Sequence, residues 1–209
     1  MTNPHLDLPA HAANLGRVGQ YGFGIVAIHG RGQSPAFMLD LLGYLGWADF
    51  PIVAPAAHEQ TWYPQKFMMP LADNQPWLDH AHEAVATSIE RFTALGLAPS
   101  QVVLVGFSQG ACLLADFIYR NPTHYKAVCC FTGGLPGEAG SVWPPTGSLS
   151  QTPIFLSSSE VDEWVPPARV RETAAVFEQM QGQVSCHIYA NRPHEVCEEE
   201  LAAVRHWLS

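Results

Sequence analysis

The chain reads as an α/β protein built on a mostly parallel central sheet with helices on both faces. Three observations predict this. Apolar runs of strand length recur along the chain, their successive residues are apolar instead of alternating, and segments of helical period separate them. The 209 residues suffice for one domain with a substantial core and are short for two, so 1–209 is expected to be a single domain.

In chain order, residues 1–20 lack a periodic pattern and are expected to form a loosely ordered N-terminal extension. "GFGIVAIH" (22–29) is a buried strand, and "AFMLDLLGYLGW" (36–47) is the helix after it. "FPIVAP" (50–55) is a second, short strand. Leu78, Ala81, Val85, Ile89 and Phe92 then fall on one helical face, which ends near Gly96. "QVVLVGF" (101–107) and "ACLLADFIY" form a strand and its helix, and "KAVCCFTG" (126–133) and "TPIFLSSS" (152–159) are two more strands. Val170, Ala174, Phe177 and Met180 mark a helix, "QVSCHIYA" (183–190) a sixth strand, and Cys197, Leu201, Val204 and Leu208 the stripe of a terminal helix. Residues 56–75 and 134–151 are long irregular loops, and the aromatics of the first suit a binding role.

Composition narrows the function. Ten Lys and Arg against nineteen Asp and Glu give a formal charge of −9, a field that repels nucleic-acid phosphates and anionic membranes. No nucleic-acid partner and no stable membrane association are expected. "MTNPHLDLPAHAANL" has neither a basic n-region nor an apolar h-region, and no window approaches a spanning length. Five cysteines, an odd number placed mostly in apolar runs, read as reduced thiols in a cytoplasmic protein. His80 and His82 point about 200° apart on a helix, which is wrong for a shared metal. Asp116, in an apolar helix, is expected to be hydrogen-bonded in the packing.

The chemistry begins at "VVLVGFSQGACLLADFIY" (102–119). Ser108 stands between Gly106 and Gly110 where a strand meets a helix. The G-x-S-x-G pattern in that setting marks a nucleophile held on a tight turn, with glycines where side chains would strike the neighbouring strand and helix. A serine needs a base, and the base needs an orienting acid. On such a sheet they follow from loops after later strands, in the order serine, acid, histidine. Of the four histidines after Ser108, His124 precedes the strands that should carry the acid. His187 lies within a strand, and His206 on the last turns of the chain. His194 alone lies in the loop after the sixth strand. For the acid, Glu160, Asp162 and Glu163 compete in "SEVDEWVPP". By position, the backbone N–H of Gln109 supplies one donor to an oxyanion.

"IHGRGQS" (28–34), "GFSQGA" (106–111), "EVDEWVP" (160–166) and "RPHEVCEEEL" (192–201) occur in an order that resembles the phospholipase/carboxylesterase family of α/β-hydrolases. That family includes the acyl-protein thioesterases and is related to dienelactone hydrolases. The resemblance runs from about residue 24 to the end. It implies the α/β-hydrolase fold, with Ser108 as nucleophile, Asp162 as acid and His194 as base. It also implies a second oxyanion donor from the backbone N–H of Arg31. Here Ser158-Ser159 stands where the family usually has His-Gly, and Glu163 replaces a proline, which keeps Glu160 as a rival acid.

The Arg31 guanidinium is a candidate partner for an acidic group on the substrate. Trp62 and Tyr63, with Trp164 beyond the acid, are expected to wall an apolar substrate pocket, while Met68 and Met69 are expected in packing. Glu195 and Glu198–Glu200 are expected to form a solvated first turn. The sequence shows no large lid. The expected activity is that of a serine carboxylesterase acting on soluble short- to medium-chain esters or thioesters through an acyl-enzyme, with no metal or organic cofactor. A catalytically idle ligand- or protein-binding member of the fold is the alternative. A homodimer is compatible with the sequence.

Overall fold

The computed structural model describes residues 2–208. Seven strands form one sheet: β1 (His11–Ala13), β2 (Gly24–Ile28), β3 (Ile52–Ala54), β4 (Val102–Phe107), β5 (Ala127–Phe131), β6 (Pro153–Ser159) and β7 (Gln183–Tyr189). Their spatial order is β1-β3-β2-β4-β5-β6-β7. All neighbours are parallel except β1, which runs antiparallel to β3.

Among the described residues six α-helices, with five single-turn 3-10 helices, complete the fold: α1 (Val18–Tyr21), α2 (Pro35–Tyr44), α3 (Trp77–Thr93), α4 (Gln109–Arg120), α5 (Pro167–Gln179) and α6 (Glu198–Arg205). The pleat explains why the strands are apolar throughout. Ile25 and Ala27 of β2 join a core with Met38, Leu41 and Leu42 of α2 and Leu201 and Val204 of α6. Val26 and Ile28, their alternates, face a second core holding Leu78 and Val85 of α3, Leu113 and Leu114 of α4 and Phe177 of α5. Strands β4, β5 and β6 alternate in the same way, so one face carries α2 and α6 and the other α3, α4 and α5. Truncating a leucine in either layer costs about 2–5 kcal/mol. The central strands end together at the edge where the loops after β2, β4, β6 and β7 gather, the usual ligand side of such a sheet.

The N-terminal segment, expected to be loosely ordered, carries structure of its own. His11 lies opposite Ala54 and Ala13 opposite Ile52 in the β1–β3 ladder. Further upstream, buried Asn3 donates from Nδ2 to the His80 carbonyl at 2.7 Å and to Glu83 Oε2 at 2.8 Å. Three residues on an edge are too few to show a period, and the partner strand is distant in sequence.

The two long loops are tied together. The Phe67 carbonyl accepts the Gly137 amide at 2.7 Å. The buried Arg169 guanidinium donates to the carbonyls of Leu135, Gly137 and Glu138 and lies over the Trp143 ring. Asp116 is buried and bonded, to His82 Nε2 at 2.8 Å and Arg120 Nε at 2.9 Å. The terminal strand β7 is only half covered, so His187 is exposed there, stacked on Phe155 and Tyr189. No helix among the described residues is long and apolar enough to cross a membrane.

Candidate active site

Ser108 links β4 to α4 with φ 54° and ψ −118°. Such a backbone costs about 1–3 kcal/mol for a side-chain-bearing residue and persists only where its surroundings impose it. The flanking glycines make it fit. A Cβ on Gly106 would sit 2.7 Å from the Gly110 carbonyl oxygen, and one on Gly110 would sit 2.2 Å from the Ile28 oxygen. The turn therefore lets α4 lie directly on the end of β2. The Ser108 amide donates to the Phe131 carbonyl at 2.9 Å, fixing the turn to β5.

The loops after β6 and β7 bring two further residues to this serine. His194 Nε2 lies 2.8 Å from Ser108 Oγ, and His194 Nδ1 lies 2.8 Å from Asp162 Oδ2. A carboxylate accepts only, so Nδ1 carries the ring proton and Nε2 is left to accept the serine hydroxyl. The other oxygen, Asp162 Oδ1, accepts the amides of Trp164 at 2.8 Å and Val165 at 2.7 Å. Burial by itself would raise the Asp162 pKa. The His194 hydrogen bond and the two amides outweigh it and hold the group below the usual carboxylate value. Glu160 and Glu163, its rivals in the sequence, are exposed.

Gln109 is the first residue of α4, so its amide has no acceptor within the helix. Its side chain grips the aromatic loop, accepting the Trp62 amide at 3.0 Å and donating to the Tyr63 carbonyl at 2.8 Å. Arg31 follows Gly30, where a Cβ would lie 3.1 Å from the Ser108 Cβ, so residue 31 leaves backbone that touches the serine. The Arg31 guanidinium is engaged by the protein's own backbone. It donates to the carbonyls of Tyr63 and Gln65 at 2.8 Å and of Pro64 at 3.0 Å, and so braces the loop.

A cavity of about 380 Å³ opens beside Ser108. Tyr63, Phe67, Met68, Trp164 and Val165 form its apolar wall, and Arg31, Lys66 and Glu163 its charged margin. Of the three aromatics singled out in the sequence, Tyr63 and Trp164 line this cavity, and Trp164 is 58% exposed. Trp62 does not line it. It is wholly buried, its Nε1–H donating to the His29 carbonyl at 2.8 Å, so it supports the wall from behind. Met68 packs against the core, as expected, and also lines the cavity, while Met69, expected in packing, is exposed.

One pair escaped the sequence reading. Glu200, expected on a solvated turn, is completely buried, with Arg192 Nη2 at 3.3 Å from its Oε1 and the Cys197 amide donating to its Oε2 at 2.8 Å. Burial pushes the Glu200 pKa up, against the hydrogen bonds of Ser157 and Cys197 and the Arg192 charge. Arg192 also donates to Thr132 Oγ1 at 3.2 Å, while its amide donates to Ser159 Oγ at 3.2 Å. The signal was present: Glu200 shares the 197, 201 and 204 stripe by helical spacing.

The sequence matches the phospholipase/carboxylesterase family over residues 25–209. It is 20% identical to mouse lysophospholipase-like protein 1 over 91% of this chain and 87% of that protein. Among solved structures, a phospholipase/carboxylesterase from Dyadobacter fermentans superposes with a TM-score of 0.90 at 34% identity, covering 96% of each chain. A carboxylesterase from Mesorhizobium loti shares the fold, with a TM-score of 0.73 at 18% identity over 96% of this chain and 93% of that one. The fold, the matched residues and the near-complete overlap agree, and the chain belongs to the phospholipase/carboxylesterase family of α/β-hydrolases.

Proposed function

We propose that the protein is a serine esterase that cleaves carboxylic esters of short to medium acyl length, and by the same steps thioesters, through an acyl-enzyme on Ser108. The observation that carries this reading is the unbroken hydrogen-bond chain from Ser108 Oγ through His194 to Asp162, both links 2.8 Å, on a strained serine beside an apolar cavity.

Ser108 Oγ attacks the carbonyl carbon while His194 Nε2 takes its proton, and Asp162 stabilises the resulting imidazolium. The negative carbonyl oxygen is held by the backbone N–H groups of Gln109 and Arg31. As the tetrahedral species collapses, the bond to the alcohol oxygen or thiol sulfur breaks and His194 returns the proton to the departing group. Water then attacks the acyl-serine, giving its proton to His194. The acid leaves, and Ser108 regains the proton. The acyl chain lies against Tyr63, Phe67 and Met68, whose volume suits a small soluble substrate.

The test is hydrolysis of p-nitrophenyl esters of graded acyl length by wild type and Ser108→Ala, with fluorophosphonate labelling alongside. We expect labelling of wild type only, an optimum at short to medium chains, and a loss on the order of 10⁴-fold or more in the variant. A wild-type protein that neither cleaves the series nor takes the label would overturn the esterase reading.

A further inference from the structure

A second cavity, of about 360 Å³, shares His194 with the acyl cavity but has otherwise different walls. Phe37 and Leu41 of α2, Phe107, Val196 and Leu201 give it apolar walls, and His194 is part of its lining. Its charge is opposite in kind to that of the first cavity. Asp40 and Glu195 line it, and no Lys or Arg does, whereas Arg31 and Lys66 border the acyl cavity against a single carboxylate, Glu163. Arg205, which reaches the Tyr44 carbonyl, is paired with Glu198 at 3.0 Å. Tyr44 also lines the cavity, with 71% of its surface exposed, an aromatic with no packing reason to stand there.

The position has a chemical meaning. The atom that leaves must collect its proton from His194 Nε2, so the group attached to it departs on the histidine side of the serine. The acyl half has the cavity that contains Ser108 and Gln109. The cavity bordered by His194 and by Phe107, the residue before the serine, is left for the other half.

Resting on the esterase reading above, we propose that this cavity is a leaving-group subsite, and that it selects esters whose alcohol half carries an amine or quaternary ammonium on a compact apolar body. Phe37, Phe107 and Tyr44 place aromatic rings in the lining, to which such a cation is attracted, and Asp40 and Glu195 supply opposite charge. Apolar walls accept the methylenes or methyls around the nitrogen, which an ordinary anion-binding site would not. An anionic leaving group would meet two carboxylates and a chain of net charge −9.

The test compares choline butyrate with 3,3-dimethylbutyl butyrate, its uncharged carbon isostere, and uses p-nitrophenyl butyrate as the control for catalysis. Each kcat/KM is divided by the ester's rate of alkaline hydrolysis, which removes the difference in intrinsic reactivity. Wild type is expected to favour the cationic ester by about three- to tenfold, the range of exposed cation–π and ion-pair gains. In Asp40→Asn/Glu195→Gln the ratio is expected to fall to about one. A wild-type ratio of one or less, or a ratio that survives in the double variant, overturns the inference alone. So does cleavage of the p-nitrophenyl ester with neither alkyl ester accepted. Failure to cleave any of the three overturns the esterase reading and this inference with it.

Discussion

Asp162 shows what a single residue does here that its neighbours in sequence cannot. Glu160 and Glu163 have the same charge, yet only Asp162 turns beneath the amides of Trp164 and Val165 and meets His194. Replacing it by asparagine keeps the shape but removes the charge that pairs with an imidazolium. If the amide presents its NH₂ to the ring, it also favours the tautomer that leaves Nε2 protonated. We expect Asp162→Asn to lower kcat by about 10³–10⁴-fold with KM little changed, as for the equivalent change in other serine triads. A variant within tenfold of wild type would remove Asp162 from the proposed mechanism. Ser108 and His194 were legible in the residues because a tight elbow and a fixed order of loops constrain them. The acid was not, because three carboxylates share one loop and their difference is a backbone turn that no residue pattern announces. Trp62 misled for a related reason. An aromatic in an irregular loop looks alike in sequence whether it faces a cavity or, as here, backs the wall with its indole N–H on the His29 carbonyl.

At the scale of elements, the apolar strands and striped helices were legible because each must bury a face, and burial leaves a period. What was not legible is how the loops that carry His194 and Asp162 are anchored. The buried Arg192–Glu200 pair joins the start of the His194 loop to α6, and through Thr132 and Ser159 to the ends of β5 and β6. Removing one partner of a buried pair leaves the other charge without compensation, at a cost of about 3–5 kcal/mol. The raised Glu200 pKa lets that carboxyl take a proton and moderate the loss. We expect Arg192→Met to destabilise strongly and Arg192→Met/Glu200→Met to recover most of the stability. In the double variant kcat is expected to stay several-fold low at unchanged KM, because packing replaces the charge pair without restoring the side-chain tether to Thr132, although the amide of residue 192 still reaches Ser159. Urea unfolding and steady-state kinetics on both variants separate the two effects. A double variant with full kcat would make the pair a matter of folding only.

Across the whole molecule, the two-sided sheet was readable from the central strands and from β7, although β7 is half exposed, while the opposite edge was not, since β1 is three residues long. The N-terminal arm is the clearest case: beside the β1 ladder and Asn3 it is held by a neutral histidine, His5, and a second neutral histidine, His29, fixes the start of the loop that His5 meets. The His58 amide donates to His5 Nδ1 at 3.0 Å, which leaves His5 Nε2 to donate to the Trp62 carbonyl at 3.2 Å. Likewise the Ala57 amide donates to His29 Nε2 at 3.1 Å, and His29 Nδ1 donates to the Gly30 carbonyl at 2.8 Å. A proton on either accepting nitrogen turns an acceptor into a donor facing a donor. Burial accordingly lowers the His5 pKa to about 4, and lowers that of His29. Because the folded value is depressed, the unfolded chain binds more protons between the two pKa values. The contribution is complete above about pH 6.5 and is lost as the pH falls toward 4. Allowing for residual hydration, His5 accounts for about 2 kcal/mol across that window. Asp162, also depressed, acts in the same direction but only as the pH falls through the lower carboxylate range, so the two windows are distinct. Asparagine at position 5 keeps an acceptor for the His58 amide but does not titrate. Urea unfolding of wild type and His5→Asn between pH 7 and 4.5 should therefore show a steep loss of stability in wild type and a shallower one in the variant. Equal slopes would mean that the arm is held by the β1 ladder and by Asn3, with no part for the histidine's charge state.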